Sequence, residues 1–184
     1  MVEYDVPPAL GAVVEAGRGS LPFALIHGEA LVACASWALD QAQVTQVDMA
    51  TEWSAVADTD DPFVLHDSLC PMTPPAFLVD CVIRALEGDC VVVGVRPVTD
   101  TVKEVAGGIV GDTVDRSTLW SVVSPIVLPA AAVPAMEHLS IADFAAVVEA
   151  LRADHRVELV EAPASAARVS SEDEVRMLEA ATAR

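Results

Sequence analysis

Lysine is nearly missing from this chain: Lys103 is the only one, and 10 basic side chains in all stand against 28 acidic ones, a net charge of -18 over 184 residues. Charge of that sign, spread along the sequence, repels phosphate backbones and anionic lipid headgroups at long range, so nucleic acid and membrane-surface partners are disfavoured. Long apolar runs are also lacking. Cys90 to Val95 and Ile126 to Met136 fall well short of the roughly 20 residues that a bilayer crossing needs. The four cysteines, Cys34, Cys70, Cys81 and Cys90, form no CxxC pair, and His27, His66, His138 and His155 form no HExxH or other close ligand spacing. A zinc site or a disulfide framework has no support, no residue is assigned as a metal ligand, and the thiols read as small hydrophobes. Glu3 and Asp5 stand where a secretory leader carries basic residues, so the expected address is cytoplasmic.

What the chain has is an apolar fraction of 53%, enough to bury the core of one domain of ordinary size over residues 1–184. Short β-rich runs alternate with helical patterns, which predicts an α/β fold with a mostly parallel sheet. The expected strands are Gly11 to Ala16, Val44 to Met49, Phe63 to His66, Cys90 to Val95 and Val157 to Val160; the last but one is a continuous valine run of the kind buried on both faces. Helices are expected over Glu29 to Gln41, Ala76 to Leu86, from near Ser140, and from Glu172 onward. Between Thr101 and Val123, two alternating patches around Gly107-Gly108 predict a hairpin arm at about 100–123. An isolated ribbon is only marginally stable in water. A partner subunit is the natural support.

Two segments carry candidate chemistry. Ala16-Gly17-Arg18-Gly19-Ser20 follows the first strand and precedes a helix, the arrangement in which backbone N–H groups cradle phosphate; it equally fits a plain turn. Val64-Leu65-His66-Asp67-Ser68 ends a central strand in a carboxylate, at the sheet edge where open α/β folds bind ligands. Asp67 there can orient a magnesium ion or a hydroxyl, or cap the turn that follows. His66 can act beside it or end the strand as a polar cap.

Further words narrow the field. Pro71-Met72-Thr73-Pro74, Pro97-Val98-Thr99-Asp100-Thr101-Val102-Lys103 and Val114-Asp115-Arg116-Ser117-Thr118-Leu119-Trp120, with the Asp67 segment, resemble in order and spacing the signatures of methylerythritol phosphate cytidylyltransferases, from Phe63 to Pro129. Ala12 to Ser20 resembles that family's opening nucleotide loop, and Arg168-Val169-Ser170-Ser171-Glu172-Asp173 its closing Lys-Val-Thr motif. The resemblance implies a three-layer, Rossmann-like nucleotide-diphosphosugar transferase fold and a β-arm exchanged across a homodimer. It implies Mg²⁺-dependent transfer of CMP from CTP to a sugar-alcohol phosphate, in isoprenoid precursor synthesis. It also assigns roles: Ala16, Gly17, Arg18, Gly19 and Ser20 to the nucleotide, Asp67 and Arg168 to the reacting phosphates, and Thr101 and Arg116 to the phosphorylated sugar alcohol.

The chain departs from the family where cations are needed. Attack of one phosphate on another demands dense, fixed positive charge. Leu21-Pro22-Phe23-Ala24 stands where the family continues into an arginine and a Pro-Lys pair, and about 13 residues between Met49 and Phe63 replace a longer base-binding stretch. Leu69 and Cys70 stand where an arginine is expected, Ser124-Pro125-Ile126 replaces Thr-Pro-Gln, and Arg168 replaces a lysine, exchanging a compact donor for a planar fork. Two readings stay open: an impaired cytidylyltransferase, using Mg²⁺ if active, and a catalytically silent homodimeric binding or regulatory protein. Pairing of the arm with an active relative uses the same surface. Arg116 serves a phosphate or pairs with Asp115 or a partner's carboxylate. Convergence of Arg18, Arg116 and Arg168 on one cleft would favour an anionic ligand.

Overall fold

A computed structural model describes residues 7–48, 51–136 and 143–183. In chain order the elements are β1 (Leu10–Val14), a small hairpin of β2 (Leu25–Ile26) and β3 (Glu29–Ala30), α1 (Leu31–Gln41), β4 (Thr45–Gln46), α2 (Trp53–Ala57), β5 (Phe63–Asp67), α3 (Pro75–Gly88), β6 (Val91–Pro97), β7 (Val102–Ala106), β8 (Ile109–Val114), β9 (Trp120–Leu128), α4 (Phe144–Leu151), β10 (Val157–Glu161) and α5 (Glu172–Thr182). Among the described residues the main sheet has the order β10-β6-β9-β5-β1-β4. Only β9 runs antiparallel to its neighbours.

The apolar runs of β5 and β6 explain the layering. Every residue of Phe63–Asp67 and Val91–Val95 is buried, because helices cover both faces of the sheet. On one face Val14, Phe63, Leu65, Val93, Ile126 and Leu128 pack with Val56 of α2 and with Phe144 and Leu151 of α4. On the other, Val64, Val92 and Val127 pack with Leu39 of α1 and Leu78 and Val82 of α3. The alternation of neighbours between the two clusters is the period-two geometry of a strand. This is a three-layer α/β architecture.

Four expectations are corrected. The strand β9 was not foreseen, because Pro125 reads as a breaker; it sits where β6 and β9 shift register, with Gly94 alone between Val93 and Val95 opposite Val123, Ser124 and Pro125, so no ladder N–H is demanded of the proline. As a result Trp120 to Val123 belong to the main sheet, and the arm proper is β7 and β8, closed by Gly107 and Gly108 at φ 59 and 80, the two-residue turn that matches strand twist. The helix expected from Glu29 begins at Leu31, since Glu29 and Ala30 pair with Ile26 and Leu25. The strand expected over Val44 to Met49 is limited to Thr45–Gln46, and Met49 lies outside the described residues. Ser140, the expected helix cap, also lies outside them; α4 is capped by Asp143, whose Oδ1 accepts from the N–H groups of Ala145 and Ala146.

Candidate functional site

β1 and β5 are parallel neighbours in a register that sets Val14 beside Asp67. The loop after β1 and the end of β5 therefore leave the sheet together at its carboxyl edge. Gly17 and Gly19, at φ 74 and 60, turn the loop back, and the Arg18 N–H donates to the Glu15 carbonyl. That turn aims Arg18 at β5. A third element arrives from the far end of the chain, where the Val169 N–H donates to the Leu69 carbonyl at 2.8 Å and pins the segment carrying Arg168.

The three side chains meet on Asp67. Arg18 approaches as a fork, Nε to Oδ1 at 3.0 Å and Nη2 to Oδ2 at 3.1 Å, while Arg168 Nε donates to Oδ2 at 2.9 Å and the Leu69 N–H to Oδ1 at 3.0 Å. Two oxygens thus accept four hydrogen bonds, which is the full capacity of a carboxylate. The Arg18 guanidinium is buried, its side chain 2% exposed, against 36% for Arg168. Its Nη1 donates to the Ala16 carbonyl at 2.8 Å, and its carbon lies 5.6 Å from the centre of the Phe144 ring, within cation–π range. Burial by itself would raise the Asp67 pKa; the hydrogen bonds from Arg18, Leu69 and Arg168 overcome it and hold the carboxyl below its ordinary value.

Behind Asp67 lies a second buried group. The Ser124 hydroxyl accepts the Asp67 N–H at 3.0 Å and pairs with His66 Nδ1 at 2.5 Å. His66 is completely buried, which lowers its pKa to about 4 against the partial opposition of the Asp67 charge. It is neutral at physiological pH. Of the two roles read for it in the sequence, the structure shows neither a solvent-facing acid–base group nor a terminal cap, but a core histidine tied to β9. His66 Nε2 and Ser68 Oγ are buried without a hydrogen-bond partner among the described residues.

The other predicted residues are placed as follows. Ser20 precedes the short 3-10 turn Leu21–Phe23 and, with Ser170 and Glu172, lines a cavity of about 410 Å³ beside the loop. The anion-attracting end of α5 beside it is already filled: Glu174 accepts from the Ser170 N–H and hydroxyl at 2.6 and 2.9 Å, and Glu172, Asp173 and Glu174 occupy the first turn. Thr101 and Arg116 sit on the exposed base of the arm. There Arg116 donates to the Thr99 carbonyl, and Asp115 accepts from the Ser117 N–H and hydroxyl. Within one chain, then, Arg18 and Arg168 converge, and Arg116 is engaged at the arm. Sequence reasoning missed Ser124 and Phe144, because nothing in their spacing shows that β9 and α4 reach this edge.

Divalent magnesium takes oxygen ligands with free lone pairs. Among the described residues no group of three or more His, Cys, Asp and Glu side chains is placed to hold a metal ion, and the Asp67 oxygens are saturated. A magnesium ion at this edge would therefore rest on substrate phosphates and water rather than on a cage of side chains.

Comparison with known proteins agrees with the fold. Residues 43–183 match the family model described as IspD, 2-C-methyl-D-erythritol 4-phosphate cytidylyltransferase. The cytidylyltransferase of that name from Corynebacterium diphtheriae is 34% identical over 105 residues, 57% of this chain and 38% of that protein. The one from Frankia casuarinae is 43% identical over 104 residues, 53% of this chain and 38% of that protein. These sequence matches span well under half the length of those relatives. Among solved structures, 4-diphosphocytidyl-2C-methyl-D-erythritol synthase from Anaerococcus prevotii superposes with a TM-score of 0.69 at 15% identity, covering 96% of this chain and 99% of that one. The Thermus thermophilus cytidylyltransferase does so with a TM-score of 0.67 at 20% identity, covering 95% and 98%. A match over 43–183 is most of the chain, and on the fold just described the chain belongs to the IspD family of 2-C-methyl-D-erythritol 4-phosphate cytidylyltransferases.

Proposed function

We propose that the chain is a cytidylyltransferase of this family in which CMP transfer from CTP to a sugar-alcohol phosphate is impaired. The observation that carries the reading is the saturation of Asp67. Its four hydrogen bonds occupy both oxygens, and Arg18 together with the Nε–H of Arg168 is turned on this carboxylate instead of on phosphates. Transition-state stabilisation in phosphoryl chemistry comes almost entirely from such charges. Loss of one donor of this kind typically costs about 2.7 to 4 kcal/mol in the barrier. Here the loop segment Leu21–Phe23 adds no cation, and Phe23 is exposed where the family resemblance calls for one.

The same reading includes a homodimer formed through the arm, which would carry Thr101 and Arg116 of each protomer toward its partner. Val105, Ile109 and Val110, each about two thirds exposed or more, support it. An apolar ribbon of that kind is a contact surface.

The test is calorimetric titration with CTP and Mg²⁺, with ATP and GTP as controls, followed by pyrophosphate release with methylerythritol phosphate alongside an active relative. Release specific to CTP and at least 1000-fold slower than the relative's, roughly the loss of one or two donors, is the expected result. No binding and no release from a folded sample would favour the catalytically silent homodimer, the second reading that the same saturated carboxylate supports. Turnover equal to the relative's would overturn both.

A further inference from the structure

A second cavity lies apart from the Asp67 cluster. It has a volume of about 900 Å³ and is walled by α1, the turn Pro71–Pro75, the β2–β3 hairpin and the end of α5. Its size is that of a pocket for a small organic molecule. The walls are mainly apolar, with Ile26, Ala38 and Met72 on the inside and the Trp37 ring, 59% exposed, at the rim.

These walls are preformed. Pro71, Pro74 and Pro75 fix the turn, and the Thr73 hydroxyl donates to the Cys70 carbonyl at 2.8 Å. The hairpin is closed by His27 and Gly28, both at positive φ, as a two-residue turn of this kind requires. His27 is further tied down, its N–H donating to Glu179 at 2.7 Å and its ring Nε2 pairing with Thr182 Oγ1 at 2.8 Å. A ligand entering such a site pays little to order it.

One charged group faces the cavity without a partner. Glu29 lines it, and among the described residues its carboxylate enters no ion pair or hydrogen bond. Glu29 and Trp37 both line the cavity and are both exposed, and an indole face is the best side-chain platform for a cation. We propose that this cavity binds a small organic cation, a primary amine on an aromatic or alicyclic body, with the amine on Glu29 and the body against Trp37 and the apolar floor. The proposal holds whether or not the Asp67 site turns over.

Three probes with one body and different charge test it: 2-(1-naphthyl)ethylamine, 2-(1-naphthyl)ethanol and 3-(1-naphthyl)propionate, titrated by calorimetry into the intact chain. Expected is saturable binding of the amine, at least tenfold tighter than the alcohol, with no binding of the acid. Glu29→Gln should bring amine and alcohol to equal affinity, and Trp37→Ala should weaken both at least tenfold. Both positions are exposed, so the variants fold. Cys34, half-buried in the same wall, gives a second readout: its alkylation at pH 9 should slow at least threefold when the amine is present. The proposal is overturned if the amine does not bind, if the acid binds equally well, or if Glu29→Gln leaves the amine's advantage intact, since the preference would then come only from the net charge of -18.

Discussion

Asp67 is held by more hydrogen bonds than any ordinary turn cap requires, and its partners differ in burial. The Arg18 side chain is 2% exposed, so removal of the charge opposite it strands a guanidinium in the core. Breaking one side of a buried pair costs about 3–5 kcal/mol. Asp67→Asn should lose that much stability in urea denaturation, and sulfate should restore more of it in the variant than it adds to the wild type, because an anion can then occupy the emptied fork. A loss below 1 kcal/mol, with no extra effect of sulfate, would show that the fork carries no weight in the fold. His66 makes a pH prediction. Its folded pKa of about 4 lies below the ordinary 6.5, so between those values the unfolded chain takes up a proton that the folded one refuses, and stability falls as pH falls. A shift of that size corresponds to about 3 kcal/mol. Asp67, with a depressed folded pKa, contributes above the ordinary carboxylate range and loses that contribution only at lower pH, as the folded group itself protonates. Unfolding free energies measured from pH 7 to pH 4 should therefore drop in the wild type relative to His66→Asn, whose neutral oxygen keeps an acceptor for Ser124. The difference between the two curves removes the relief of negative charge that both share. Parallel curves would refute the assignment.

At the scale of elements, the sequence was legible where a strand is buried on both faces. Phe63–Asp67 and Val91–Val95 are unbroken apolar runs but for His66, Asp67 and Gly94, and their positions were read directly. The helix α3 was nearly as plain, expected over Ala76 to Leu86 and found over Pro75–Gly88, closed by Asp89 in the left-handed region at φ 44. β9 was hidden by Pro125, and α2 by its five residues beside an acidic turn. Of the site, the loop Ala16–Ser20 and Asp67 stand out by their place after a strand, and Arg168 through the family resemblance, but the contact of Arg18 with Asp67 across 49 positions and that of Asp67 with Arg168 across 101 depend on strand register, which spacing does not show. The bulge in β6 and β9 makes a testable element of this kind. A Cβ on Gly94 would lie 2.6 Å from the Ser124 carbonyl oxygen, a backbone atom that cannot yield. One on Gly111, in the arm, would meet its nearest neighbour at an ordinary 3.5 Å. Gly94→Ala should cost about 3 kcal/mol in a urea melt, and Gly111→Ala less than about 1 kcal/mol. Equal costs would mean that the bulge relaxes freely.

For the whole molecule the governing quantities are the net charge and the exposed arm. Val105 pairs across the ribbon with Val110, and Ala106 with Ile109, so the apolar side chains at 105 and 110 share one face. Val110→Glu places a charge on that face without touching the main sheet. Sedimentation of the wild type should show a dimer, and the variant a folded monomer; a monomeric wild type would remove the arm as an assembly surface. Salt then reveals what holds the protomers together. Each carries a net charge of -18, and repulsion between them is screened at a Debye length of about 8 Å in 0.15 M salt. If the contact is the apolar face of the arm, raising salt from 0.05 to 0.3 M should tighten the dimer severalfold, since the attraction is insensitive to salt and the repulsion is not. If instead Arg116 is engaged by a carboxylate of the partner, the bond itself is screened and the dimer should loosen as salt rises. Tightening would leave Arg116 available for an anion at the dimer's site, whereas loosening would commit it to assembly and remove the cation that the family resemblance assigns to the phosphorylated sugar alcohol.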